Sequence, residues 1–574
     1  MTPTALTSTE ARYSSATDAK ASGRTYTPAL LARFVARNIL DLASRRDERS
    51  SIRVLDPAIG DGELIVALLD DAISRYPSAK FVVTGFDTDE SALAVAQERI
   101  ASRFPAAALS LRAESFLDHV LLGNTLLGQP AREQFDIVIA NPPYVRTQVI
   151  GAQTSQAIRK QWGLTSRVDL YHAFVLAIGD VLAPDGAAGI IVSNRFIATR
   201  SGSQVRQAFL ERYRVQHVWD FGDTKLFDAA VLPAVVVAAG TANTEQAPAM
   251  FTSIYEAKTE APASAADPVA AVEHEGLVRV ADGRVFDVRH GGLDHGASTT
   301  GVWRIKNVES DDWLATVAAH THRTFGELGK IRVGVKTCAD KVFINPAWAN
   351  AAPDERPELL RPLTTHHVAR RFHQLAEPSQ RMILYPHESL EGKRQAVDLT
   401  AYPLAKEYLE QHRAVLESRT YVVDAGRDWF ELWVPQDPAL WSRPKLVFRD
   451  ISEQPTFWLD LDGSVVNGDC YWLVPENAEE DDVLWLAAAV ANSRFCERFY
   501  DLRFHNKLYA GRRRYITQYV NEFPLPDPAL PVSRQIVATA QEIYRNADSP
   551  AVHALQDRIE HLVRVAFGLE EPPG

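Results

Sequence analysis

Sulfur is scarce in this chain: its 574 residues include 3 Cys and 3 Met. Cys338, Cys470 and Cys496 are too few and too far apart for a zinc site or a disulfide framework, and a reducing, cytoplasmic setting is expected. Long apolar runs are missing too. The longest, residues 229–240, is broken by Pro233 and falls short of the ~20 residues that span a bilayer, so no membrane association is expected. Residues 1–21 lack the apolar core of a secretory signal; their Ser, Thr and Ala predict a disordered tail. Nor is there an excess of positive charge. With 61 Lys and Arg against 73 Asp and Glu, the net charge of −12 argues against indiscriminate coating of nucleic acid, so any polyanion contact has to be a local patch.

What is present is core material, 46% hydrophobic residues, in a chain long enough for two to four domains at roughly 150 residues each. Residues 52–55 predict a strand, Asp56-Pro57-Ala58-Ile59-Gly60-Asp61-Gly62 a turn, and residues 64–69 the apolar start of a helix. Glycines at 60 and 62 let the backbone approach a ligand at a helix N-terminus. Position 65 is Ile, not the third glycine of a dinucleotide fingerprint, so that pyrophosphate motif is not met. A second strand over residues 81–86 ends at Asp87, placed to accept ribose hydroxyls, and a third over residues 109–112 ends at Glu114-Ser115-Phe116. There a carboxylate or hydroxyl could meet an adenine amino group, with Phe116 packed on the ring. Ahead of these, Thr27 is a plausible cap and Pro28 a plausible first residue of an amphipathic helix.

A fourth strand, Ile137-Val138-Ile139-Ala140, stops at Asn141-Pro142-Pro143-Tyr144. Its unbroken apolar run suits a strand buried on both faces, and the prolines cannot continue a ladder, so Asn141 is held at a strand's carboxyl edge. In an open parallel sheet that edge is where ligands bind. Asp169-Leu170-Tyr171 opens a further helix, and strands over residues 189–193, 217–221 and 232–238 complete an alternation that predicts a doubly wound α/β sheet. Asp220-Phe221-Gly222 spells a kinase triplet without any of its companions and is set aside.

Residues 246–300, rich in Ala, Thr, Glu, Gly and Pro, predict a connector with some edge strands; residues 301–574 predict an α+β module. Within that module a hairpin is expected over residues 334–344, one helix over 401–419 and one long helix over 483–499. Arg503, Lys507, Arg512, Arg513 and Arg514, interleaved with Phe504, Tyr509 and Tyr515, suit phosphate contacts and base stacking.

In this order the motifs resemble the gamma-type N6-adenine DNA methyltransferases of bacterial restriction and modification: Tyr26-Thr27-Pro28, Asp56-Pro57-x-x-Gly60-x-Gly62, Asp87, Asn141-Pro142-Pro143-Tyr144, Asp169-Leu170-Tyr171, then Phe227. The resemblance implies a Rossmann-like S-adenosylmethionine-dependent catalytic domain over residues 22–245 and a target-recognition domain over 301–574, including Asn492-Ser493 and Phe523-Pro524-Leu525-Pro526. Tyr26, Thr27, Pro28, Asp56, Pro57, Gly60, Gly62, Asp87, Glu114, Ser115 and Phe116 would hold the cofactor. Asn141 and Pro142 would accept the two hydrogens of the target amine, and Tyr144 and Phe227 would stack on a flipped adenine. No metal is required. Double-stranded DNA is the expected partner, with a cognate restriction endonuclease and a monomeric state. Two departures stand out: Leu64 where the family often has an aromatic residue, and Glu114-Ser115 where it often has a clean Asp. The rivals are a protein-glutamine methyltransferase, which shares Asn-Pro-Pro-Tyr, a DNA-binding specificity subunit, and a bifunctional nuclease and methyltransferase.

Overall fold

The structure, a computed structural model, describes residues 27–43, 51–126, 133–144, 152–164, 169–227, 232–242, 248–296, 298–352, 355–375, 381–504, 508, 511–547 and 549–569. The tail at 1–21, Tyr26 and Lys507 lie outside them. Two compact units result, Met1–Asn307 with Lys507–Gly511, and Val308–Asn506 with Arg512–Gly574.

The first unit is built on one sheet. Its strands are β1 (Ser51–Asp56), β2 (Lys80–Phe86), β3 (Ala108–Arg112), β4 (Phe135–Ala140), β5 (Leu182–Ser193), β6 (Arg214–Asp220), β7 (Pro233–Ala239), β8 (Met250–Ala257), β9 (Ala263–Ala265), β10 (Gly276–Val280), β11 (Val285–Asp294) and β12 (Arg304–Lys306). The order is β3-β2-β1-β4-β5-β7-β6-β8-β11-β10-β9, with β12 on β11. β1 is parallel to β2 and to β4, and β4 to β5; β7 runs antiparallel between β5 and β6. The chain goes outward from β1 through β2 to β3, then returns to place β4 on the other side of β1. That reversal opens a crevice at the carboxyl ends of β1 and β4, the ligand site of an open α/β sheet.

The apolar runs read as strands because they are buried twice over. Val54, Ile137 and Ile139 enter one core, while their neighbours Leu55, Val138 and Ala140 enter the other. All six residues of β4 are buried, as expected of a central parallel strand. The helix Ala29–Ala43 buries Leu31, Val35, Ile39 and Leu40 completely, roughly 1.5–3 kcal/mol for each large side chain. It approaches β5 closely because residue 189 is glycine: a Cβ there would lie 2.5 Å from Ile39 Cδ1.

Of the stretch expected as a connector with some edge strands, the described residues 250–294 carry strands that continue the sheet. β8 pairs in parallel with β6, and β11 pairs with β8 along eight residues. The compositional shift that suggests a connector reflects turns and partly exposed positions on these strands, which no local count separates from loop.

In the second unit an antiparallel sheet orders the strands Ile331–Val333, Cys470–Leu473, Lys445–Arg449 and Phe457–Asp460. It too has two cores, Leu446 and Phe448 facing one and Val447 the other. The expected hairpin at 334–344 is absent; that stretch holds the short helix Asp340–Phe343. The expected helix over 401–419 is broken at His412 into Pro403–Gln411 and Arg413–Glu417. The helix expected over 483–499 breaks at Ser493, which is extended at φ −82° and ψ 156°. Its hydroxyl donates to the Val490 carbonyl at 2.6 Å and accepts from the Cys496 N–H at 3.3 Å, ending one helix and capping the next, Arg494–Phe504.

Candidate active site

The turn after β1 is fixed before any ligand is considered. Gly60 and Gly62 adopt φ +53° and +84°, the left-handed region that side chains other than glycine enter at a cost. Gly62 also touches the next helix, since a Cβ there would lie 3.2 Å from Ala96 Cβ, whereas a Cβ on Gly60 would meet nothing within 4 Å. One glycine is required by packing, and the other leaves open space in front of the backbone. The Ile59 N–H donates to the Phe86 carbonyl at 2.9 Å, and the Gly60 N–H to Asp87 Oδ2 at 3.0 Å. Asp87 therefore braces the loop, its other oxygen accepting from the Asp89 N–H at 2.8 Å. Arg99, on the helix Glu90–Arg103, ties the loop down from outside: Nη1 donates to Asp61 Oδ2 at 2.8 Å, and the guanidinium also pairs with Glu63. No sequence pattern announces Arg99, because its partners lie 36 to 38 residues away.

Beneath the loop sits Asp56, fully buried at the end of β1. Oδ1 accepts from the Ala58 N–H at 3.0 Å, while Oδ2 has no hydrogen-bond partner among the described residues. Burial pushes its carboxyl up to about 8; the Ala58 hydrogen bond opposes the shift, and the charges of Asp87 and Asp61 add to it. Pro57 is buried beside it.

Across the crevice, Asn141 is held at both ends of its amide. Nδ2 donates to Thr27 Oγ1 at 3.0 Å, and Oδ1 accepts from the Tyr144 hydroxyl at 2.9 Å. Pro142 is buried. Burial, reinforced by Tyr171, raises the Tyr144 phenol well above its ordinary range, so it remains a donor at neutral pH. The rings of Tyr144 and Tyr171 meet edge to face at 6.1 Å and 61°. Thr27, Ala58, Ile59, Gly60, Asp61, Glu63, Leu64 and Asn141 line one crevice. Pro28 immediately precedes the helix Ala29–Ala43 and accepts its first bond, from the Ala32 N–H at 3.0 Å, so Pro28 takes the cap position expected for Thr27.

Other expected site residues are held by contacts of their own. Phe116, expected on a cofactor ring, is 2% exposed and packs on Phe86 and Phe174 at 5.4 and 5.9 Å. Phe227, expected to stack on a base, is 5% exposed in the first core. Glu114 faces His119 Nδ1 at 3.2 Å, and Ser115 Oγ accepts from the Asp118 N–H at 3.4 Å, starting the helix Phe116–Leu126. The kinase-like triplet is a buried bracket: Asp220 accepts from Tyr255 Oη at 2.6 Å, Asn194 Nδ2 at 2.9 Å and the Gly222 N–H at 3.0 Å.

In the second unit the basic segment is largely committed to its own fold. Arg513 is buried, paired with both Asp501 oxygens at 2.7 and 2.8 Å and with Glu497 at 2.8 Å, so it is a structural cation and not the exposed phosphate contact expected. Arg514 pairs with Asp450 at 3.0 Å and Arg503 with Glu522 at 2.9 Å, both at exposed positions; Arg512 is exposed. Asn492 is structural as well, its amide exchanging two hydrogen bonds with the Phe457 backbone at 2.9 and 2.8 Å. Phe523 is fully buried and Pro524–Leu525 is a strand paired with Arg323–Thr324.

Comparison with known proteins places this geometry. A family model described as Eco57I restriction-modification methylase matches residues 84–227, a span that contains Asn141 to Tyr144. Type II methyltransferase M.BanIII of Aneurinibacillus aneurinilyticus is 36% identical across 96% of this chain and 98% of its own length. Type II methyltransferase M.BstVI of Geobacillus stearothermophilus is 25% identical across 85% of this chain and 88% of its own. Among solved structures, the Type IIL restriction-modification enzyme MmeI, in complex with DNA, aligns over 95% of this chain and 73% of its own at a TM-score of 0.59 and 13% identity, a likeness of fold. Matched over 96% of its length by M.BanIII, and with a Rossmann-like sheet presenting its glycine turn and Asn141 at one edge, the chain belongs to the Type II methyltransferases of restriction and modification.

Proposed function

We propose that this enzyme transfers a methyl group from S-adenosylmethionine to the N6 amine of an adenine flipped out of duplex DNA, within a specific sequence. The observation that carries the reading is Asn141, clamped by Thr27 and Tyr144 beside the glycine turn. The residues fit the cofactor. Gly60 leaves open space before the backbone, and Asp56 Oδ2 offers a buried polar atom without a hydrogen-bond partner among the described residues. Thr27, Asp56, Gly60, Gly62 and Asp87 would hold it, and when bound it supplies an electrophilic methyl on a sulfonium.

An aryl amine is a weak nucleophile because its lone pair is shared with the ring. Thr27 fixes the Asn141 amide so that Oδ1 faces Tyr144, and an amide carbonyl oxygen carries two lone pairs, so Oδ1 is the acceptor offered to a substrate N–H. With the Pro142 carbonyl as the other acceptor, both amine hydrogens are held and the nitrogen lone pair is directed away from the ring. Neither acceptor has to reorganise as charge develops, which is the advantage of a pre-organised site. Base flipping costs a few kcal/mol. Tyr144, whose hydroxyl meets the amide, would offset part of that cost by stacking; Phe227 would contribute only if it left its core position.

A protein-glutamine substrate needs the same amine activation but gives the second unit no role. M.BanIII aligns with 96% of this chain, which includes most of that unit, and this favours DNA and, with it, protection of a site from a cognate endonuclease. The test is transfer of labelled methyl to duplex DNA, with the product nucleoside identified. Asn141→Ala is expected to lower the rate by about 10²–10³ while cofactor binding is kept. A product of N4-methylcytosine, or transfer to a protein glutamine and not to DNA, would overturn the reading.

A further inference from the structure

The second unit contains a cleft that none of the expected site residues reaches. The strands Leu360–Thr364 and Val465–Val466 run parallel, Leu363 opposite Val465 and Thr364 opposite Val466. Both segments therefore leave the sheet at one edge, sending Thr365-His366-His367 and Asn467-Gly468-Asp469 out side by side. The antiparallel strand Met382–Leu384 begins at that edge, where the Arg381 carbonyl accepts from the Leu363 N–H at 2.9 Å. The helix Asp340–Phe343 brings Lys341. Together they enclose a cavity of about 490 Å³ lined by Lys341, Thr365, His367, Arg381, Asn467 and Asp469, among others.

The rim is stiff. A Cβ on Gly334 would lie 2.0 Å from the Asn467 carbonyl oxygen, and one on Gly468 2.6 Å from that of Val335, so two backbones meet with no side chain between them. The Asn467 N–H donates to the Thr364 carbonyl at 3.0 Å. His366 pairs with Asp469, and its ring lies 3.9 Å from that of His367.

The lining chemistry is mixed in a way that narrows the ligand. Carboxylates do not belong in a simple phosphate cradle, and a lysine and an arginine do not belong in a cation site; among the described residues no cluster of three or more metal-ligating side chains occurs. Fixed donors and acceptors side by side match the edges of base pairs. In the major groove, guanine offers two acceptors to Arg or Lys, adenine a donor and an acceptor to Asn, and cytosine a donor to a carboxylate. We propose that this cleft reads base edges in the target sequence, with Lys341, Asn467 and Asp469 as specificity-determining residues. The inference rests on the reading of duplex DNA as substrate.

The experiment is methylation of a duplex library randomised around the parent's preferred site, with cofactor binding measured in parallel, for the parent, Asn467→Ala, Asp469→Asn and Lys341→Ala. Each variant is expected to lower kcat/KM on the preferred site by about 5- to 100-fold and to relax the preference at one or two fixed positions, with cofactor binding unchanged. Lys341 is exposed, so its truncation keeps the test independent of packing. Variants that retain the parent's preference at every position, or that lose rate equally on all sequences, overturn the inference. A parent that methylates no DNA overturns instead the reading beneath it.

Discussion

Asp56→Asn should stabilise the cofactor-free protein, and the gain should depend on pH. In the folded chain, burial holds the Asp56 carboxyl at about 8, against 3.8 for an unperturbed group. Because the folded value lies above the unfolded one, folding takes up a proton at neutral pH. The penalty is absent below the unfolded value, grows as pH rises, and is complete above the folded value. At 1.36 kcal/mol per unit, it is about 4 kcal/mol at pH 7 and about 2 kcal/mol at pH 5. The amide that replaces the carboxyl brings an N–H of its own to bury beside the position of the partnerless Oδ2, a cost of about 1–3 kcal/mol. The variant should therefore exceed the parent by about 1–3 kcal/mol at pH 7 and match it within about 1 kcal/mol at pH 5. Thermal unfolding of the cofactor-free proteins between pH 5 and 8.5 measures this, at roughly 1–2 °C per kcal/mol for a unit of this size. The same variant should bind S-adenosylmethionine more weakly, stability having been given up for a ligand contact. A variant less stable than the parent at pH 8, or a difference that does not change with pH, would refute the reasoning.

Lys445 and Asp460 form an ion pair with both side chains fully buried, so Lys445→Met should cost about 3–5 kcal/mol in denaturant unfolding, and adding Asp460→Leu should restore most of it. Arg513→Ala should destabilise the second unit without altering the salt dependence of DNA binding, whereas Arg512→Ala should leave stability intact and reduce the slope of log K against log salt by about 1 if it meets a phosphate. The buried histidines should act against the relief of Asp56 in acid. Burial lowers His172 and His217 to about 4 and His387 to about 3, from 6.5, so the stability these neutral rings contribute is present above 6.5 and falls by up to about 1.4 kcal/mol per ring and pH unit below it. From pH 7 to 5 the parent should lose about 2 kcal/mol relative to His387→Gln, and a difference between the two that does not change with pH would contradict that.

The sequence by itself determined the alternation of strands and helices in the first unit and the strand end at Asn141. Both are local: an unbroken apolar run is buried on two faces wherever it sits in a parallel sheet, and proline ends a ladder without help from distant residues. The glycine turn was legible for the same reason, since positive φ is a property of the residue. Tertiary structure alone decided which polar and aromatic groups are occupied. Arg513 reads as a surface cation until Glu497 and Asp501 are found beside it, and Phe116 and Phe227 read as stacking platforms until their faces are covered. Residues 246–300 read as a connector until β6 supplies an edge for β8. Thr27 and Asn141, 114 residues apart, share a hydrogen bond that no spacing rule contains. Composition and periodicity specify which surface a residue prefers; its partner is set by the folded path of the chain.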